Sequence, residues 1–498
     1  MALHTHSLTQ GNSAPLLLAL DQGGHASRAL VFDAQGRQLI QAYAAISTQR
    51  PSAERVEHDA HEVLESMRTV IADIAHTLGN DTQRLVAAGM ATQRSSIVCW
   101  DAIGGAPLSP VLSWQDRRNA ARVSQLEPRR DEIQRLTGLV LSPHYGASKL
   151  RWCLDELPQV QQAHAANRLQ AGPLASYLLQ GLLNQGAAAL VDPANASRTQ
   201  LWSPATRNWS PSLLEWFGVP REVLPRSVPT RYAYGSLDIA GHAVPLTICT
   251  GDQAAVPFAQ GELQDDTIYL NLGTGAFALA PLDHDIEDVA PLLRSVVWSD
   301  DHHTRYALEG TINGAGSALQ WLNERSGLDI ERAAQALQRT QVANLNVPLF
   351  INGIGGIGSP YWLPQVESHF VSNEGGATHD DRAALVAVIE SIAFLIAANL
   401  REMRKRAPQL KRIVAGGGLA ACSYLCECLA GLSELPLTRL SETELTAKGL
   451  AFLVANQPSE WLPDANAATI APIVDKALHA RHVVWQQHMS HLIGSSAS

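Results

Sequence analysis

Thr250-Gly251-Asp252-Gln253-Ala254-Ala255 closes an apolar segment at 245–249, and Asn271-Leu272-Gly273-Thr274-Gly275 follows about twenty residues later. The same pattern opens the chain, where Leu16-Leu17-Leu18-Ala19-Leu20 runs into Asp21-Gln22-Gly23-Gly24. A carboxylate at a strand end, followed by a glycine-rich turn, can hold a metal–phosphate group or accept a proton from a hydroxyl. One such signal in each half predicts two lobes, with chemistry in the cleft between them. Taken alone, Asp252 also reads as a helix N-cap ahead of Gln253-Ala254-Ala255.

Working outward, 498 residues are too many for one core. Two domains are expected, at 14–247 and 248–490. A hydrophobic content of 46% with 17% charged residues is that of a globular enzyme. The net charge of −10 argues against a nucleic-acid partner, which needs concentrated Lys and Arg. The one basic cluster, Arg401, Arg404, Lys405, Arg406, Lys411 and Arg412, closes a long helical pattern, where cations complement the helix dipole. No apolar stretch is expected to approach the ~20 residues that span a bilayer. Residues 1–13 are polar and carry His in place of a basic leader, so neither a signal peptide nor a membrane partner is expected. The six cysteines form no Cys-x-x-Cys pair and read as buried reduced thiols of a cytoplasmic protein.

The order of elements predicts an α/β fold. Three strands, at 15–20, 28–33 and 38–46, are joined by tight turns. A helix over 60–78 places Val63, Met67, Val70, Ile71 and Ile74 on one face, and a strand over 85–90 follows. The second half repeats this plan, with strands at 267–270, 276–280 and 306–309 and a helix over 314–324. The repeat is at domain scale.

Eleven motifs occur in one fixed order. They are Asp21-Gln22-Gly23 through Ser27-Arg28-Ala29, Val56-Glu57-His58-Asp59, Thr92-Gln93-Arg94, Trp114-Gln115-Asp116-Arg117-Arg118 and Ser148-Lys149-Leu150-Arg151-Trp152. Asn195-Ala196-Ser197-Arg198-Thr199, Gly251-Asp252-Gln253, Gly273-Thr274-Gly275 and Tyr306-Ala307-Leu308-Glu309-Gly310 come next, then Gly358-Ser359-Pro360-Tyr361-Trp362 and Gly416-Gly417-Gly418. In these, the chain from 16 to 455 resembles the FGGY carbohydrate kinases, especially those of the glycerol kinase type, within the actin-like ATPase superfamily. The resemblance implies two ribonuclease-H-like lobes that close on an acceptor and ATP.

It also implies roles for individual residues. Asp21 orients the Mg²⁺ of Mg-ATP, and Asp252 stands beside that ion and is the general base for the attacking hydroxyl. Gly23, Gly24, His25, Ser27 and Arg28 form a first phosphate loop, and Gly273 and Thr274 a second, since small residues let backbone N–H groups approach phosphate closely. Gly316 and Gln320, four residues apart on one helix face, and Gly417 with Gly418 match nucleotide-side positions. Arg94, Trp114, Asp252, Gln253 and Phe277 match the acceptor pocket.

The chain departs from the family at several of these places. Ser95 stands where glycerol kinases have glutamate, and His144 where they have tyrosine. Gly24, His25 and Ala26 replace Thr/Ser in the first loop, and Ala421 replaces a nucleotide-contacting asparagine. His25 reads either as a phosphate-contacting imidazolium or as a solvent-facing side chain. The resemblance therefore implies ATP-dependent phosphorylation of a small polyol or sugar. A true glycerol kinase and a non-catalytic sugar- or nucleotide-sensing relative are the alternatives, and a homo-oligomer stays open.

Overall fold

A computed structural model of the chain describes residues 4–5, 14–183, 189–282, 284, 286, 288–327, 329–343, 345–371 and 380–496. The polar N-terminal stretch, apart from residues 4–5, lies outside them. The first lobe is built on β1 (Leu16–Gln22), β2 (Ala26–Asp33), β3 (Gln38–Ala45), helix α1 (Ala60–Leu78) and β4 (Leu85–Thr92). Two later strands complete its sheet, β5 (Arg231–Ile239) and β6 (His242–Gly251). The order is β3-β2-β1-β4-β6-β5, with His4–Thr5 on the β3 edge. The hairpins β1/β2 and β2/β3 are antiparallel, whereas β4 pairs parallel with both β1 and β6.

Every residue of β1 is buried, because helices cover both faces of the sheet. On one face α1 supplies Val63, Met67, Val70 and Ile74 to a core shared with Leu16, Leu18 and Leu20. Asp59 caps α1 by accepting from the amides of His61 and Glu62. Helix α2 (Gly146–Glu156) lies near the cleft.

The second lobe repeats the plan. Its strands are β7 (Thr267–Leu272), β8 (Ala276–Leu282), β9 (Leu293–Ser299) and β10 (Thr304–Ile312), followed by helices α3 (Gly316–Asn323) and α4 (Asp381–Arg406). Then come β11 (Arg412–Gly416), β12 (Leu437–Arg439), helix α5 (Leu445–Val454) and β13 (Ala468–Ile470). The sheet order β9-β10-β8-β7-β11-β12-β13 again joins antiparallel hairpins to parallel strands. Helix α5 brings the lobes together. Its Leu450, Ala451 and Val454 pack with Leu17, Ala19 and Ala91 of the first sheet.

Two sequence expectations meet a different structure. The division at 247/248 falls inside β6, which hydrogen-bonds to β4, and the second sheet begins only at Thr267. The expectation that no apolar stretch approaches ~20 residues fails at α4, where an 18-residue window has a mean hydropathy of 2.2. That window is wholly buried inside the protein, so the helix is apolar all round because it is the centre of a core. Its Glu390 is held by Tyr424 (2.5 Å) and by Arg481 Nε (2.7 Å). The basic residues at its end are engaged locally. Lys405 and Arg406 pair with Glu402, Lys411 and Arg412 pair with Asp266, and Arg404 donates to the Ser433 carbonyl. All six cysteines are free and buried.

Candidate active site

Asp21 lies near the end of β1 and Asp252 directly follows β6, the two strands that flank β4. Both carboxylates therefore belong to the first sheet, which corrects the expectation of one per lobe. Strand pairing decides this, because β6 adds to β4 before the chain crosses to the second lobe. Gly251 takes the N-cap position, and Asp252 is the first residue of the turn Asp252–Ala255. Its Oδ1 accepts from the Gln253 amide at 2.7 Å. Gly251 is required by close approach, since a Cβ there would sit 2.6 Å from the Arg94 side chain.

Burial raises the pKa of Asp21 to about 7. Arg28 (3.5 Å away) works against the rise, whereas Asp252 and Glu444 add to it. Burial likewise raises the pKa of Asp252, opposed by Arg94 at 3.7 Å. The second lobe reaches this point through Asn271, whose amide donates to Gln253 Oε1 at 3.0 Å.

The two glycine turns are hairpins, as read. The Gly23 and Gly273 amides close their own turns onto Ala26 and Gly275 carbonyls, each at 2.9 Å. Gly24, His25 and Thr274 are left lining the cleft. Ser27 does not join them. It is fully buried, and its hydroxyl meets Ser66 of α1 at 2.8 Å. Strand alternation explains this, because Ser27 faces the helix while Arg28 faces Asp21 and Glu444.

A cavity of about 350 Å³ lies between the lobes. Arg94, Ser95, Trp114, His144, Asp252, Gln253 and Phe277 all line it, so the structure brings every expected acceptor residue together. Tyr145, Arg198 and Glu309 line it too. These three were not singled out in the sequence, although Arg198 and Glu309 lie in motifs quoted above. The signal for Glu309 was a charged residue within an apolar strand.

Glu309, buried in β10, accepts from Arg94 at 2.8 and 3.1 Å and from Arg198 at 2.6 Å. Burial alone would raise its pKa, but Arg198 and Arg94 bring it down to about 2. His144 packs edge-on against Trp114 and Tyr145. Burial, with Arg117, Lys149, Arg198 and Arg94 nearby, holds its pKa well below the usual imidazole range, so the ring is neutral. Lys149, fully buried on α2, donates to the carbonyls of Ser95 (3.1 Å), Ser113 (2.7 Å) and His144 (2.7 Å). One ammonium thus fixes the three loops that carry the acceptor-side residues.

A second cavity, of about 530 Å³, is lined by Gly316 and Gln320 of α3 and by Gly418. Gly273 and Thr274 line both cavities, so this turn is the wall between them. The Gly316 amide bonds the Gly273 carbonyl at 2.9 Å, seating α3 on the turn. Gly417 is not at the cavity. Its φ of 91° and the Leu272 carbonyl, 2.7 Å from where a Cβ would lie, show that it serves packing against β7.

Models of the FGGY family of carbohydrate kinases match the chain at both lobes, the N-terminal domain over 16–259 and the C-terminal domain over 268–457. The chain belongs to the FGGY family of carbohydrate kinases. It is 33% identical over 450 residues to a glycerol kinase of Synechocystis sp., covering 88% of this chain and 90% of that one. It is 34% identical over 452 residues to a glycerol kinase of Alkalilimnicola ehrlichii, covering 88% and 89%. The fold matches that of Plasmodium falciparum glycerol kinase with ADP, with a TM-score of 0.81 at 19% identity over 96% of this chain and 98% of that one. It also matches xylulose kinase from Rhodospirillum rubrum, with a TM-score of 0.78 at 18% identity over 96% and 98%. This carbohydrate kinase is thus a phosphotransferase that phosphorylates a polyol or sugar with ATP.

Proposed function

We propose that this kinase binds a small polyol or sugar other than glycerol in the 350 Å³ cavity and the nucleotide in its neighbour. The observation that carries this reading is the Gly273–Thr274 turn shared by the two cavities. Phosphoryl transfer needs donor and acceptor in line, with the transferred group between them. A γ-phosphate at this turn meets that requirement. Asp252, on the acceptor side, takes the proton of the attacking hydroxyl, and its raised pKa makes it a better base than an exposed carboxylate. Arg94 and Gln253 orient hydroxyls, and Trp114 and Phe277 form the apolar walls.

A Mg²⁺ ion fits the carboxylates present. The pKa of Asp21, raised to about 7, marks a buried anion that Arg28 alone does not balance. Asp21 and Asp252 would hold the ion, and it would neutralise charge on the phosphates. Arg28, between Asp21 and Glu444, is poised to contact a phosphate oxygen.

The names of the curated relatives favour glycerol as acceptor. Ser95 and His144 favour another molecule, because a pocket built to bond particular hydroxyls discriminates strongly when those partners change. A coupled ADP-release screen across three- to six-carbon polyols and ketoses tests the reading. Preference for glycerol over every longer acceptor would restore the glycerol kinase assignment, and silence with all of them would favour a sensor.

A further inference from the structure

Two hydrogen bonds fix which way the side-chain amide of Gln253 points. Its Oε1 accepts from Asn271 Nδ2 at 3.0 Å, and its Nε2 donates to Asp252 Oδ2 at 3.4 Å. The two ends of an amide differ little in shape but are opposite in hydrogen-bonding role, so partners decide its orientation. With Asn271 donating, Gln253 turns its NH2 toward the carboxylate. Reversed, the same amide would set an oxygen against Asp252 and an NH2 against Asn271.

Asn271 belongs to the other lobe. It lies in β7, paired with Phe277 of β8 and with Gly416 of β11, and it lines the acceptor cavity two residues before the Gly273–Thr274 turn. Glycine at 417 leaves it room, since a Cβ there would stand 2.8 Å from Asn271 Oδ1. The Asn271 amide thus has its oxygen toward that glycine and its NH2 toward Gln253.

We propose that Asn271 is a positioning residue for phosphoryl transfer: from the second lobe it sets the polarity of the Gln253 amide, and through it the direction in which an acceptor hydroxyl meets Asp252. This rests on the kinase reading above and deepens it. Held in this sense, Gln253 has a second N–H to donate to a hydroxyl oxygen, while the hydrogen of that hydroxyl points at the Asp252 carboxylate. The hydroxyl oxygen then forms the new bond to the γ-phosphorus, the bond from that phosphorus to ADP breaks, and the hydroxyl proton passes to Asp252. Asn271 and the Gly273–Thr274 turn are parts of one hairpin, so the element that receives the γ-phosphate also aligns the nucleophile.

The test is a double-mutant cycle of Asn271→Ala and Gln253→Ala, read by coupled ADP release with glycerol, erythritol, xylitol and xylulose. With the acceptor that the wild type turns over fastest, Asn271→Ala should lower kcat/KM for that acceptor about tenfold, while KM for Mg-ATP stays within about twofold. In the Gln253→Ala background the same change should cost less than about twofold, because the amide it orients is gone. Asn271→Asp is nearly isosteric and keeps the cycle usable if the alanine variant does not fold. Its carboxylate accepts from the Gln253 NH2 and turns Oε1 toward Asp252, so its loss should be larger with Gln253 present than with alanine there. Losses that simply add across the cycle overturn the proposal and leave the kinase reading intact. An equal rise in KM for Mg-ATP overturns it as well, since that marks a distorted hairpin. Silence of the wild-type protein with all four acceptors overturns both the proposal and the reading beneath it.

Discussion

Arg94, two residues beyond β4 of the first lobe, and Glu309, in β10 of the second, meet in a two-point ion pair at 2.8 and 3.1 Å. The same carboxylate accepts from Arg198. The guanidinium nearest the proposed base is therefore oriented by a residue from the opposite lobe. The proposed acceptor pocket is complete only when the lobes are together.

Glu309→Gln should expose this dependence. Removing one partner of a buried pair costs about 3–5 kcal/mol, because the remaining charge stays buried. The carboxylate's pKa falls from 4.5 to about 2 on folding, so its stabilisation is fully present above 4.5 and is lost as pH falls through 2. Denaturant midpoints should show a gap between wild type and variant that is constant above pH 4.5 and narrows below it. A gap independent of pH down to 2 would contradict the ion-pair account.

Asp252→Asn should abolish phosphorylation while ATP still binds. Asparagine keeps the shape and can accept the Gln253 amide, but it cannot take the proton. Loss of a general base costs about 10²–10⁴ in rate. Near-normal turnover in the variant would remove Asp252 from the role of base.

Binding acceptor and Mg-ATP together should compact the molecule. Contacts to the two ligands come from both lobes, and a closed cleft excludes water that would otherwise hydrolyse ATP. Small-angle scattering should record a smaller radius of gyration with both ligands than with neither. Unchanged dimensions at saturation count against closure.

Ser95→Glu combined with His144→Tyr should raise kcat/KM for glycerol relative to the native acceptor. Each hydroxyl partner lost from a buried site is worth about 1–3 kcal/mol, so restoring two should give about a tenfold gain or more. Ser95 and His144 are both anchored through their carbonyls by Lys149, so the new side chains would start from a fixed backbone. If the unmodified protein already prefers glycerol to every four- to six-carbon acceptor, the specificity argument fails.

Much of the candidate site was legible because the features that mark it are local in sequence. A carboxylate at a strand end and a glycine turn are features of a few consecutive residues, and so Asp21, Asp252, Gly273 and Thr274 could be found directly. Ser27 could not be placed that way. Whether a strand residue faces the cleft or a covering helix depends on register, and the pairing of Ala26–Asp33 with its neighbours turned Ser27 toward Ser66. The helix Asp381–Arg406 was read through its basic end as a long helical pattern, but its apolar length was missed, since an all-apolar surface has no periodic signal to read.

By itself the sequence determined the family, the duplicated α/β plan, the two glycine turns and the departures at Ser95 and His144. Each is written in runs of neighbouring residues whose hydrogen-bonding and turn preferences are local. Only the tertiary structure decided that both carboxylates hang from one sheet, that Gly273 and Thr274 stand between two cavities, and that Arg94 and Arg198 share Glu309. Partners such as Arg94 and Glu309 lie 215 positions apart, and no local preference encodes which distant charge a buried guanidinium will meet. That choice is made when the lobes pack, because a buried charge must find its counter-ion wherever the fold brings one near.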